Sequence, residues 1–89
     1  MSTENVDTIT PDQSRGARAL LDMTQPQLAS ISGLGLSTIV DFERSRRDIS
    51  KDAIEAIRIA LERAGIEFIE ENGGGPGVRL RKRQRPKKT

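Results

Sequence analysis

The sequence contains no cysteine and no histidine. Without cysteine there is no disulfide framework, no thiolate chemistry and no sulfur-based zinc cluster. Without histidine, the usual general base and the commonest metal ligand are missing. Aromatic residues are almost as scarce: no Trp, no Tyr, and two Phe, Phe42 and Phe68. A chain of 89 residues so composed has little with which to line a deep pocket. Carboxylate-only catalysis is the route left open, and it needs convergent perturbed groups in such a pocket. An enzyme is therefore not expected, and neither is a cofactor or a metal. No apolar run approaches the ~20 residues of a membrane span. The opening stretch MSTENVDTIT has neither the basic start nor the apolar core of a secretory signal. The expected location is the cytoplasm.

What is present is charge, unevenly placed. The formal net charge is +2, from 15 Lys and Arg against 13 Asp and Glu. Residues 79–89 hold seven of the basic side chains and no acidic one, leaving a body of 8 basic against 13 acidic groups, a net −5. The length suits one small domain.

Residues 1–9 are polar and acidic and read as a disordered arm. Thr10-Pro11-Asp12-Gln13 is a helix start: Thr as N-cap, Pro in the first turn, Gln returning the capping bond. Thr24-Gln25-Pro26-Gln27 repeats the device. The first helix is expected over about 11–22 with Ala17, Leu20 and Leu21 on one face. The second is expected over 25–32 with Leu28, Ala29 and Ile31 inward, ending at Gly33, which tolerates the left-handed backbone a helix end needs. A third helix over 36–44 has Ile39 and Phe42, with Leu34 just before it, as inward anchors. Leu36, Ser37, Val40, Asp41 and Arg44 then face outward. Ser45 to Ile49 is a loop. Ser50 caps a fourth helix over 51–64 with Ile54, Ile57, Leu61 and Ala64 as its buried stripe. Ile66 to Glu70 and Val78 to Arg81 alternate in the manner of strands around Glu71-Asn72-Gly73-Gly74-Gly75-Pro76-Gly77, which reads as a turn. That loop lacks the Lys-Ser/Thr of a phosphate cradle. The fold class is mostly α: a four-helix domain over 10–65, a β-hairpin over 66–82 and a disordered basic tail over 83–89.

Two short helices, the first closed by a glycine and followed at once by a third with a polar outer face, form a helix-turn-helix pattern. The close crossing needs a small residue, supplied by Ala29, and the turn needs a positive φ, supplied by Gly33. The run Ala19-Leu20-Leu21, Thr24-Gln25, Leu28-Ala29, Gly33, Thr38-Ile39 and Phe42-Glu43-Arg44 resembles the Cro and phage-repressor (XRE-like) family of regulators. Ala56-Ile57 and Leu61 of helix four extend the resemblance over residues 10–65. The segment from Gly65 to Leu80 resembles the tail of a subgroup of small bacterial regulators.

The resemblance implies a dimer that binds duplex DNA sequence-specifically, with helix three in the major groove. It implies transcriptional control, often of mobile elements, prophages or restriction systems. With no room for a ligand domain, control is expected from concentration or from a partner protein, an antagonist or RNA polymerase being the candidates. It places base reading on Gly35, Leu36, Ser37, Val40, Asp41 and Arg44, and phosphate contacts on Gln25, Gln27, Thr38, Arg46 and Arg47. Arg44 suits guanine O6 and N7, Ser37 can donate or accept, and Leu36 and Val40 suit thymine methyls. Asp41 either accepts from cytosine N4 or orients a neighbouring Arg. Related helices often carry Ser or Thr at the cap and Arg, Gln or Asn among the readers. Gly35, Leu36, Val40 and Asp41 shift the expected readout toward methyl contacts and DNA shape.

Other readings stay beside this one. Leu36 and Val40 also suit a small protein interface, as in an antitoxin or coactivator with the same fold. Arg15 and Arg18 read as a solvated helix face with some reach to phosphate. The basic residues Arg79, Arg81, Lys82 and Arg83 suit a sequence-blind DNA arm, a solvated end or a partly ordered strand; counterion release favours the first. RNA binding has little support, because stacking wants exposed aromatics. Ile66, Phe68, Val78 and Leu80 are expected to pack on helix four and on a second subunit, since a lone two-stranded hairpin is unstable.

Overall fold

The helices start where the capping residues stand. Thr10 caps α1 (Pro11–Leu21): its hydroxyl accepts from the Gln13 N–H at 3.1 Å, and the Gln13 side chain accepts from the Thr10 N–H at 2.8 Å. Thr24 and Gln27 build the same reciprocal box on α2 (Gln25–Ser32), at 3.1 and 2.9 Å. In both helices proline lies in the first turn, where its missing N–H costs no helical hydrogen bond. Ser50 caps α4 (Lys51–Arg63) through the Ala53 N–H. α3 (Leu36–Glu43) begins at Gly35 without a side-chain cap. The computed structural model describes residues 8–81. The arm before Thr8, and the basic stretch from Lys82 through Arg83 to the C-terminus, lie outside the described residues.

The architecture is mostly helical, with one two-stranded antiparallel sheet after the fourth helix. β1 (Ile66–Ile69) pairs with β2 (Gly77–Leu80) in the register Ile66 with Leu80, Glu67 with Arg79, Phe68 with Val78 and Ile69 with Gly77. A single apolar core joins Ala17, Leu28, Ala29, Ile39, Phe42, Ile57, Ala60, Leu61 and Ile66, so every helix and β1 contribute to it. Between α2 and α3 the chain turns at Gly33, whose φ of 75° is left-handed, and the Leu34 N–H reaches back to the Ala29 carbonyl at 3.1 Å.

Several expectations need correction. Ile9, assigned to the arm, is only 4% exposed and belongs to the core. As the residue just before the N-cap, it anchors the entry to α1 instead of fraying. Ile31, assigned inward, is 51% exposed. In an eight-residue helix, Leu28 and Ala29 fill the inner stripe alone. Leu20 is exposed as well, while Ala17 carries that face. Ala60 takes the buried place on α4 given to Ala64, which is the exposed C-cap.

The hairpin does not rest on α4 alone. β1 lies against α4, and β2 runs along α1. Gly16 eases this approach, because a Cβ there would sit 3.3 Å from Val78 Cγ2, tighter than an ordinary contact. Gln13, 6% exposed, uses its remaining amide group to pin the hairpin. Its Nε2 donates to the Gly77 carbonyl at 2.9 Å and to the Ile69 carbonyl at 3.4 Å. One side chain thus closes the α1 cap and the mouth of the hairpin. Gln13→Ala should lower the unfolding free energy by about 1–3 kcal/mol, the cost of a lost capping bond plus the lost hydrogen bonds from its amide to the hairpin. Urea unfolding measures this, and a loss below ~0.5 kcal/mol would show that the hairpin is held without the clamp.

Candidate nucleic-acid interface

α3 has two faces of opposite character. Ile39, Phe42 and Glu43 point inward and are buried. At the complementary three-and-four spacing, Ser37 and Arg44 are exposed, Leu36 is 45% exposed, and Val40 and Asp41 are half-buried. These five, with Gly35 at the N-cap, line one outward surface, as the residue spacing predicts. Arg46 and Arg47 follow in the exposed turn after the helix, so three guanidinium groups stand at the C-terminal end of this surface.

The back of α3 is held by a feature that the sequence reading missed. Glu43 is a fully buried carboxylate. Arg18 grips it from α1: Nη2 donates to Oε1 at 2.7 Å, and Nε donates to Oε2 at 2.9 Å. The Ser14 hydroxyl donates to Oε2 at 2.5 Å, and Gln25 Nε2 of α2 donates to Oε1 at 3.0 Å. Arg15 donates to the Glu43 backbone carbonyl at the C-terminus of α3 and pairs with Asp12, a favourable place for a cation. The signal for this network was present. Glu43 lies four residues after Ile39 on the apolar face, and an acid buried there requires a cation. Ser14 and Arg18, one turn apart on α1, are that counterpart.

The network reassigns two residues. Arg18 is not a solvated side chain reaching for phosphate, since it is committed to Glu43 and to the Met23 carbonyl. Gln25, assigned to phosphate, spends its side-chain amide on Glu43. Gln27, also assigned to phosphate, spends its side-chain oxygen on the Thr24 N–H. Thr38 is half-buried on α3. Asp41 pairs with Arg47 at 2.7 Å and lies 3.9 Å from Arg46, the arginine-orienting alternative.

The hairpin residues also divide. Arg79 pairs across the strands with Glu67 at 2.8 Å. Arg81 Nη2 donates to the Glu62 carbonyl at 2.7 Å. Both are tied to the body while remaining at its surface. Ile66 is fully buried in the core, Phe68 and Val78 are half-buried, and Leu80 is 48% exposed. Among the described residues no group of three or more acidic, His or Cys side chains could hold a metal ion, and no helix is long and apolar enough to cross a membrane. The chain matches no known protein family and no curated protein.

Burial alone would push the Glu43 carboxyl upward, but hydrogen bonds from Arg18, Ser14 and Gln25 to its charged form outweigh that, and its pKa lies below the ordinary carboxylate value. A depressed pKa means that the folded state holds the proton less tightly than the unfolded chain. The resulting stabilisation is complete above the unfolded pKa of about 4.3 and is lost as pH falls through the folded value. Wild-type stability should therefore drop with acidification below that point. Glu43→Gln should be less stable at neutral pH and show a shallower acid decline. Arg18→Ala, which leaves a buried charge unpaired, should cost about 3–5 kcal/mol at pH 7. Urea unfolding at a series of pH values tests all three; parallel pH profiles for wild type and Glu43→Gln would mean that the carboxylate contributes nothing as an ion.

Proposed function

We propose that the protein is a sequence-specific duplex-DNA-binding transcriptional regulator of the Cro and phage-repressor (XRE-like) helix-turn-helix type, with α3 as the helix that enters the major groove. The observation that carries this reading is the division of α3. Its back is locked to α1 and α2 through the buried Glu43, and its outward face, which no other described helix or strand covers, ends in Arg44, Arg46 and Arg47. A rigid helix with one free face and a cationic end suits insertion between phosphates. Arg44 is the strongest candidate for a guanine contact, and Leu36 and Val40 for thymine methyls. The site of action would be the cytoplasm, on the operator of a mobile element, a prophage or the protein's own operon.

One recognition helix reads few base pairs, so the reading includes a homodimer on a pseudo-palindromic site. The hairpin supports this through its hydrogen-bond phase. The Arg81 N–H donates to the Gly65 carbonyl at 2.7 Å. In an antiparallel ladder the next exchanging pairs are then Glu67 with Arg79 and Ile69 with Gly77. Val78 and Leu80 consequently turn their backbone groups to the outer edge of β2, where no described residue bonds them. Gln13 with Gly77 and Gly16 with Val78 run in step along α1 and β2, so the exposed Leu20 and Leu80 follow at the same end. An open edge beside apolar side chains suits pairing with a second copy. Ile66, buried in its own core, is withdrawn from that interface.

A second reading has its own observation. The exposed Ile31 and Leu36 would also suit a protein partner, as in an antitoxin or a coactivator.

Arg44→Ala should weaken binding to a preferred duplex by about tenfold or more while leaving affinity for random duplex nearly unchanged. Fluorescence anisotropy measures both; equal affinities for wild type and variant on both duplexes would remove Arg44 from the interface. In sedimentation velocity the chain should be dimeric at micromolar concentration, and Leu80→Asp should shift it toward monomer with its helical content intact. A wild-type monomer, with and without DNA, would overturn the dimer.

A further inference from the structure

The turn after α3 is built to hold two arginines against one carboxylate. Ser45 adopts a left-handed φ of 56°, unusual for a residue that is neither Gly, Asn nor Asp. Its N–H bonds the Phe42 carbonyl at 3.1 Å, and the Arg46 N–H reaches back to the Asp41 carbonyl at 2.9 Å. This reversal brings the next two side chains over Asp41. Arg47 Nε donates to Oδ2 at 2.7 Å, and Arg46 Nη1 lies 3.9 Å from Oδ1. The Asp41 side chain is 19% exposed beneath them, whereas Arg46 and Arg47 are 57% and 55% exposed.

We propose that Asp41 is a positioning residue that makes the phosphate grip of Arg46 and Arg47 conditional on the base it meets. The inference rests on the DNA-binding reading above. A phosphate and the Asp41 carboxylate compete for the same guanidinium groups. When Arg47 moves to a phosphate, Asp41 is left as a bare anion facing a polyanion. A directed hydrogen-bond donor relieves it best, and the donors that the bases offer in the major groove are the amino groups of cytosine N4 and adenine N6. A site that presents such a group lets Asp41 exchange its arginines for the base and frees them for the backbone. A site that does not leaves like charges unrelieved, and binding suffers. Exposed ion pairs are weak, so the exchange is reversible and operates as a gate. Asp41 thereby penalises wrong sequences through residues that touch no base.

The test compares Asp41→Asn with Asp48→Asn, an equal change of charge at an exposed acid in the same turn that makes no ion pair with the described residues. Binding is measured on a random-sequence duplex and on a duplex selected by the wild type, across a range of salt. Asp41→Asn should bind random duplex about fivefold to tenfold more tightly than wild type, with a steeper salt dependence, and gain much less on the selected duplex. Asp48→Asn should shift both duplexes by the same smaller factor, and Asp41→Glu should restore part of the discrimination. In the DNA-free protein, proton exchange at Arg47 Nε should be slowed in wild type and fast in Asp41→Asn. Identical behaviour of the two Asn variants on DNA, or unprotected Arg47 in the wild type, overturns the proposal. A wild-type chain that binds neither duplex overturns the DNA-binding reading, and this coupling with it, even where exchange shows the ion pair formed.

Discussion

The arrangement of the helices depends on one buried carboxylate. Glu43 receives hydrogen bonds from Ser14 and Arg18 of α1 and from Gln25 of α2. A charge taken out of water is tolerated only when it is paired and its lone pairs are occupied, so these partners cannot drift without a large penalty. Apolar packing among Leu28, Ile39 and Phe42 draws the helices together. It tolerates small slides and rotations, whereas an ion pair with defined donors does not. Glu43 is the last residue of α3, so the constraint acts at the end nearest Arg44, Arg46 and Arg47.

The hairpin is fixed by a comparable economy. Gln13 belongs to the capping box of α1 and also bonds the carbonyls of Ile69 and Gly77, which close the sheet at its turn end. Gly16 admits Val78 beside the helix, and Ile66 enters the common core. The face of α1 toward α3 carries Ser14 and Arg18, Ala17 enters the common core, and Gln13 and Gly16 meet the sheet. α1 is thus the element through which an edge strand on one side and the outward face of α3 on the other are held in one frame. On the proposed reading, that frame would fix the position of each recognition helix relative to a partner subunit.

The sequence revealed those parts of this structure that depend on local chemistry. The Thr-Pro-Gln helix starts, the Gly33 turn and the outward set on α3 each follow from residues within one or two turns of one another. The hairpin followed from a change of period around a glycine-rich stretch. What stayed hidden depends on contacts between residues far apart in the chain. Glu43 and Arg18 are 25 residues apart, and Gln13 and Gly77 are 64 apart. No periodicity reports such a pairing. Ile9 and Ile31 depart from their sequence pattern for a related reason: position relative to a helix stripe does not say whether another element covers that stripe. The same long-range commitments tie Arg18 and one amide N–H of Gln25 to Glu43.

On the proposed reading, the outward face of α3 reads duplex DNA as part of a symmetric pair. Selection of bound duplexes from a random-sequence pool by the full chain tests it most directly. The expected result is an enriched inverted repeat whose half-sites lie about 10 base pairs apart centre to centre, or a multiple of that. A pool that shows no sequence enrichment after repeated rounds would contradict it.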